Sequence, residues 1–559
     1  MAEMNGAQAM YEMMVREQVR YVFGNPGTTE LPLMDLFAAR SEIDYILALH
    51  EDSALAVAAG YADASRRAAV VNLHTNPGLA HALGNLYNAQ RAGTPLVVTA
   101  GQQDTHATLD EPLLCADMVG MARPFTKWAY EVHHATEIPA AMARAFKVAE
   151  TPPTGPVFLS LPVNAMEERA DIELLTRTRI DGRGGGDPLQ IEAAAALLAA
   201  AKNPAIIAGD GCARSQALFA VAQLAEMIAA RVYAEPLNAL LDFPTGHPLF
   251  AGPLVPNARQ SAAMLEGVDV ILTVGATNLA PLVYTGHRMI PASARLIQID
   301  LSERELGKNF PAEVAIQGDP RLCVEELLNA TGQLIPTPNW EAIARREKLE
   351  AAIREGRARF AEQATVTGED GPMSAGFVAR ILREMTASDA ILVDEAVTAT
   401  TYLRLLFEID EVNSYFFAKG GSLGFGLPFA VGVKLARPDR QVICAVGDGS
   451  ALYAIQGLWT AARYRLGVVF VVFNNSSYQI LKGGLIALQG ESARRGQFIG
   501  MDITEPEVDF RSLAESLGVA ARRVSRAAEL RPAIEWALSE NRPTLLDVAI
   551  ARDLRSLLR

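Results

Sequence analysis

The run QVICAVGDGS (441–450) is followed by ALYAIQGLWTAARYR (451–465) and then by a second apolar run, VVFVVF (468–473), which stops at Asn474 and Asn475. Read as strand, helix and strand, it is one βαβ unit with parallel, neighbouring strands, so Asp448 and Asn475 leave the same sheet edge. The residue types suit a metal-bound phosphate. Glycines let backbone approach a ligand closely, and a helix that starts near Ser450 offers free N–H groups. Aspartate and asparagine supply hard oxygens for Mg2+ (or Ca2+). Gly-Asp-Gly alone also makes ordinary turns; the second motif, Asn474-Asn475, at the end of the next strand turns it into a cradle.

Outward from this unit, the 559 residues exceed what one core holds, and the length suggests three or four domains. Three segments alternate short apolar runs with helical patterns, which predicts an α/β protein of three doubly wound parallel-sheet domains at 1–180, 188–335 and 365–559. The glycine cluster in RIDGRGGGDP (179–188) reads as a linker, and the charged stretch EAIARREKLEAAIREGRARFAEQ (341–363) as a solvated helical connector. The first and third segments suggest two domains of similar plan.

Half the residues are apolar and 20% are charged, which fits large buried sheets. The net charge of -14 leaves no basic stripe, so nucleic acid is excluded as a partner. Cys115, Cys212, Cys323 and Cys444 are widely spaced, which argues for a reducing compartment and against structural zinc. The N-terminal MAEMNGAQAMYEMMVREQ lacks the features of a secretion signal, and no stretch approaches about 18 uninterrupted apolar residues. A cytoplasmic location without membrane contact is expected.

The motif pair, together with FGNPGTTELP (23–32), YILALHED (45–52), VNLHT (71–75), VVTAGQQ (97–103), ARPFTKWAYE (122–131) and GGSLGFGLP (420–428), resembles the thiamine diphosphate enzymes. The likeness is to the 2-oxo acid decarboxylase and acetolactate synthase superfamily, and within it to benzoylformate decarboxylases; it spans nearly the whole chain. The resemblance implies thiamine diphosphate and Mg2+ as cofactors. It also implies a pyrimidine-binding first domain, a central domain and a diphosphate-binding third domain, in a homodimer or homotetramer with active sites between subunits. Some relatives hold FAD in the central domain. Here IIAGDGCAR (206–214) lacks the third glycine of a dinucleotide fingerprint, so FAD rests on fold analogy alone.

By the same resemblance Glu51 is the carboxyl that hydrogen-bonds the pyrimidine ring nitrogen and promotes proton removal from the thiazolium carbon. From position alone it would be an acid at a positive helix end. Leu423 matches the wedge beneath the bent coenzyme, and Gly421 the carbonyl that accepts from its amino group. Gly447, Gly449, Ser450, Tyr453, Tyr478, Thr398 and Asn25 match other cofactor-side positions, and Ser477 joins Asp448 and Asn475 around the metal. Thr28 stands where the decarboxylase has serine. His74 matches a catalytic histidine, whose imidazole titrates near neutral pH.

The match then weakens. Leu282 occupies the place of the decarboxylase's middle-domain histidine, with His287 five residues on. His81 stands where the decarboxylase has asparagine, and His106 lies near the histidine pair of pyruvate decarboxylases. Leu113, Leu114, Phe417 and Leu481 match apolar positions of the aryl pocket, whereas Gly483 and Gly484 replace aromatic residues. The expected reaction is decarboxylation of an apolar, aromatic or branched 2-oxo acid such as benzoylformate to the aldehyde and carbon dioxide. An acetolactate synthase-like carboligation is the alternative.

Overall fold

The computed structural model describes residues 2–336, 338–367 and 371–552. It contains three six-stranded sheets, each parallel throughout. In spatial order the first holds Asp44–Leu47, Tyr21–Gly24, Ala69–Leu73, Leu96–Gln102, Val157–Pro162 and Ala129–Glu131. The second holds Phe250–Pro253, Arg231–Ala234, Pro204–Ala208, Val270–Val274, Arg295–Asp300 and Val314–Gln317. Tyr415–Phe417, Ile391–Glu395, Val442–Gly447, Val468–Asn474, Thr544–Ala549 and Ala520–Val524 make the third. Strands such as Val468–Asn474 are apolar and buried along their whole length because helices cover both faces.

Numbered in chain order within each sheet, the first and third both run 2-1-3-4-6-5, so they share one plan, while the middle sheet runs 3-2-1-4-5-6. In such sheets ligands bind beyond the carboxyl ends of the strands where the order reverses. In the first sheet that point lies between Tyr21–Gly24 and Ala69–Leu73, which delivers Asn25 to Thr28 and His74 to one crevice. In the third it lies between Ile391–Glu395 and Val442–Gly447, which delivers Thr398 and Asp448 to another.

The first and third sheets of the chain are joined by the helices Glu51–Ser65 and Gly426–Ala436. They cross in backbone contact, because a Cβ at Gly60 would overlap the Phe429 carbonyl and one at Gly432 the Val57 carbonyl. The charged stretch of 341–363 forms most of the helix Trp340–Ala364, of which only Ala342 is buried. One sequence expectation needs correcting. The single helix over 451–465 is two short helices, Asp448–Ala451 and Gly457–Arg463, because the turn between them packs under the loop 420–428, with Tyr453 Cβ against Gly424 and Gly457 against Pro428.

Lys419 ties the third sheet to the middle one. Its ammonium lies 2.6 Å from both Asp210 and Glu235, with 1% of the side chain exposed. Burial works against its charge, but the two carboxylates outweigh that and hold its pKa above the usual lysine range. Lys419→Ala leaves two buried acids without their cation, so we expect a loss of about 3–5 kcal/mol in stability, read by chemical denaturation.

Candidate active site

Asp448 and Asn475 do emerge side by side. The Asp448 carboxylate accepts the N–H groups of Gly449 (2.7 Å), Asn475 (3.0 Å) and Ser477 (3.3 Å), so one acid closes the loop after the strand Val468–Asn474 onto the loop after Val442–Gly447. Burial pushes the Asp448 carboxyl up, and these N–H groups oppose the rise. The side-chain oxygen of Asn475 is buried and has no hydrogen-bond partner among the described residues. An orphaned amide oxygen beside a buried carboxylate is a donor set that fits Mg2+ or Ca2+. Ser477 and Ser450 are buried here, Gly447, Thr398 and Tyr478 half-buried, and Tyr453 exposed.

The loop 420–428 is anchored by a residue that sequence reading passed over. Glu395, at the end of the strand Ile391–Glu395, is 2% exposed and accepts the N–H groups of Gly424 (2.8 Å), Phe425 (3.1 Å) and Gly426 (2.7 Å). It thereby fixes the segment that carries Leu423, while Gly421 makes the loop's turn at φ +79°. The only sequence signal was an acid inside the apolar run ILVDEA. Burial raises the Glu395 carboxyl to about 7 despite the three donors. A carboxyl raised on folding contributes most below its unfolded value of 4.5 and loses that contribution as pH rises through about 7. Relative to Glu395→Gln, we expect the wild type to lose roughly 3 kcal/mol of stability between acid and mildly alkaline pH, by denaturation at several pH values.

Glu51 begins the helix Glu51–Ser65, capped by His50, whose Nδ1 accepts the Asp52 N–H at 3.2 Å. Its side chain is 14% exposed and lies 3.1 Å from His81 Nδ1. The neighbouring Asp52 is half-buried, and its desolvation raises its carboxyl to about 6; it is held by Asn85 at 2.7 Å.

His74 stands just before the helix Thr75–Ala92, and its ring is held by a partner elsewhere. Its Nδ1 lies 2.9 Å from Glu30, a 3% exposed acid that also accepts from Thr29, Gly27 N–H and Gly101 N–H. With Nδ1 so engaged, Nε2 is the nitrogen left for other chemistry. Glu30 sits within GTTELP and was not singled out in the sequence; its pairing with a histidine 44 positions away is purely tertiary. Thr28 is exposed beside it, and Asn25 donates to the Ala48 carbonyl at 2.9 Å.

Other candidates are dispersed. His106 is 86% exposed and pairs with Asp104 in its own turn, and no contact joins it to Glu51 or His74 among the described residues. Leu113 and Leu481 are exposed and Leu114 half-buried, whereas Phe417 lines a small internal cavity with Asn85, Asn88, Phe425 and Phe429. Leu282 is 73% exposed, and His287 binds Arg259 and the Thr285 carbonyl. The middle sheet has a separate cavity of about 660 Å³ at its own switch point, with Asp210, Gly211, Gly275, Asp300 and Lys308 in its walls.

Comparison with known proteins identifies the family. Residues 4–121 match the N-terminal TPP-binding domain of thiamine pyrophosphate enzymes, 191–327 the central domain, and 396–548 the C-terminal TPP-binding domain. The chain is similar to a benzoylformate decarboxylase of Pseudomonas aeruginosa, 34% identical over 97% of this chain and 98% of the relative. It is 28% identical to the acetolactate synthase isozyme 3 large subunit of Escherichia coli, over 98% and 95% of the two chains. Among solved structures it matches the thiamine diphosphate-dependent 4-hydroxybenzoylformate decarboxylase of Rhodococcus jostii RHA1 with a TM-score of 0.86 and 30% identity, covering 99% of this chain and all of that one. With its three domains, their order and full-length relatives in agreement, the chain belongs to the thiamine pyrophosphate enzymes.

Proposed function

We propose that the protein is a Mg2+-dependent 2-oxo acid decarboxylase that releases carbon dioxide and an aldehyde from an apolar, aromatic or branched substrate such as benzoylformate. The supporting observation is the Glu30–His74 pair beside Thr28: an imidazole with one nitrogen fixed by a buried acid can give and take a proton at the other. Bound thiamine diphosphate would supply a nucleophilic carbon for the 2-oxo group and a cationic ring that takes up the electron pair left when carbon dioxide departs. The rest falls to the chain. Asp448, Asn475 and the Ser477 backbone hold the cation and through it the diphosphate, and Glu51 holds a proton against the pyrimidine nitrogen. The Thr28 hydroxyl binds the substrate carboxylate, and His74 Nε2 moves protons at the substrate oxygen.

A second copy completes this site. The contacts of Glu51 and those of Asp448 share no residue among the described ones, and Leu49, Tyr453 and Leu481, close to the two clusters, are exposed. A dimer that covers them brings the acid of one subunit to the cation of the other. Flavin is left out of the proposal: Lys419 in the wall of the middle-sheet cavity is already neutralised by Asp210 and Glu235.

Leu282 in place of a proton-donating histidine favours a second reading, carboligation. Incubation with benzoylformate or pyruvate and product analysis separates the two. Aldehyde as main product supports decarboxylation, and a 2-hydroxy ketone or acetohydroxy acid as sole product overturns it.

A further inference from the structure

The helix Thr75–Ala92 turns one stripe of residues toward the start of the helix Glu51–Ser65. At positions i, i+3, i+7 and i+10 stand Gly78, His81, Asn85 and Asn88. Gly78 leaves room for Glu51, whose carboxyl carbon and Oε1 would lie only 3.5 and 3.2 Å from a Cβ there. Asn85 holds Asp52, and Asn88 donates to the Ser422 carbonyl at 3.0 Å and to Asn85 at 2.9 Å. Three of the four positions therefore shape the Glu51 site or brace its neighbours. The fourth, His81, places Nδ1 3.1 Å from Glu51 Oε2, and its ring stacks on His50 with centroids 5.1 Å apart.

The titratable groups that face His81 are His50, Glu51 and Asp52, all at the start of the helix Glu51–Ser65. The two imidazoles differ in setting. Burial, with the proximity of His81, keeps His50 below the usual histidine value against the pull of Glu51. His81 is the more exposed member of the stacked pair in the single chain, at 53%. An asparagine at this place could make the same hydrogen bond but carries no proton that it can give up.

Resting on the proposed role of Glu51, we propose that His81 is a positioning residue that stores the proton Glu51 needs when the coenzyme binds. In the coenzyme-free protein the imidazolium of His81 faces the Glu51 carboxylate. On binding, the Nδ1–H bond breaks and an O–H bond forms at Glu51 Oε2. The imidazole becomes neutral, and the carboxyl enters its hydrogen bond with the pyrimidine nitrogen already protonated. Charge and proton count stay constant, so solvent supplies nothing.

The test is calorimetric titration of coenzyme-free protein with thiamine diphosphate and Mg2+ in buffers of different ionisation heat, which counts protons taken up on binding. At about pH 6 we expect His81→Asn to take up about one proton more per coenzyme than the wild type, a difference that closes at alkaline pH where His81 is already neutral. The ionisation of the diphosphate occurs in both proteins and cancels in the difference, and the contribution of Asp52, whose charge His81 favours, is removed by comparing the two proteins with Asp52→Asn in both. Equal uptake by the two proteins overturns the proposal. In a Glu51→Gln background the His81 substitution should change nothing. At alkaline pH, where Glu51 must draw its proton from solvent, Glu51→Gln should take up about one proton fewer than the wild type, and equal uptake there means that the role given to Glu51 fails instead. Should His81→Asn not fold, the His81 ring is titrated by NMR in coenzyme-free wild type and Glu51→Gln: a lower midpoint in the variant supports the store, and an unchanged one overturns it.

Discussion

Replacing Glu51 by glutamine is expected to lower turnover by roughly 10²–10⁴-fold while coenzyme affinity stays within a few-fold of wild type. The side chain is 14% exposed, opens a helix and fits over Gly78, and glutamine has the same shape, so the fold and the coenzyme pocket should survive. What is lost is the exchangeable proton. A carboxyl can hold a proton against a ring nitrogen and take it back; a carboxamide cannot. Steady-state kinetics with a 2-oxo acid, alongside coenzyme titration by fluorescence, would measure both quantities. Unchanged turnover would remove Glu51 from the mechanism.

Asp448→Ala should act on binding instead. The substitution removes the anionic oxygen beside Asn475 and strands the N–H groups of Gly449, Asn475 and Ser477 in a buried loop pair. An unpaired buried donor costs about 1–3 kcal/mol, and the cation loses a charged ligand as well, so coenzyme affinity at fixed Mg2+ should fall by on the order of 100-fold. Raising Mg2+ should recover part of it. Asp448→Asn, which keeps the shape and one acceptor, should lose less. Coenzyme titration at several Mg2+ concentrations checks this ordering, and an affinity independent of Asp448 would place the diphosphate elsewhere.

What the sequence disclosed and what it hid divide along a physical line. The juxtaposition of Asp448 and Asn475 was readable because a right-handed βαβ unit brings successive strand ends together, and each motif sits at an abrupt end of an apolar run. The three sheets were readable from short runs such as VICAV and VVFVVF, whose length, β-branched and aromatic residues and abrupt turn-forming ends mark buried strands. Residues whose meaning depends on a distant partner were not readable. Glu30 acquires its role from His74, Glu395 from three N–H groups about thirty positions on, and His81 from Glu51. No local pattern encodes those pairings. The break between Ala451 and Gly457 was hidden in the same way, because it is imposed by the loop 420–428 packed on it.

The central claim is that one coenzyme is gripped by an acid of one subunit and a cation site of another, and mixing two inactive variants tests it directly. Glu51→Gln and Asp448→Ala proteins are unfolded together, refolded together with coenzyme and Mg2+, and assayed beside each variant refolded alone. In a hybrid dimer one site receives both intact residues and the other neither, so random pairing should restore about a quarter of wild-type activity. If Glu51 and Asp448 serve the same coenzyme within one chain, every site in the mixture keeps one defect, and activity no higher than that of the separate variants would contradict the account.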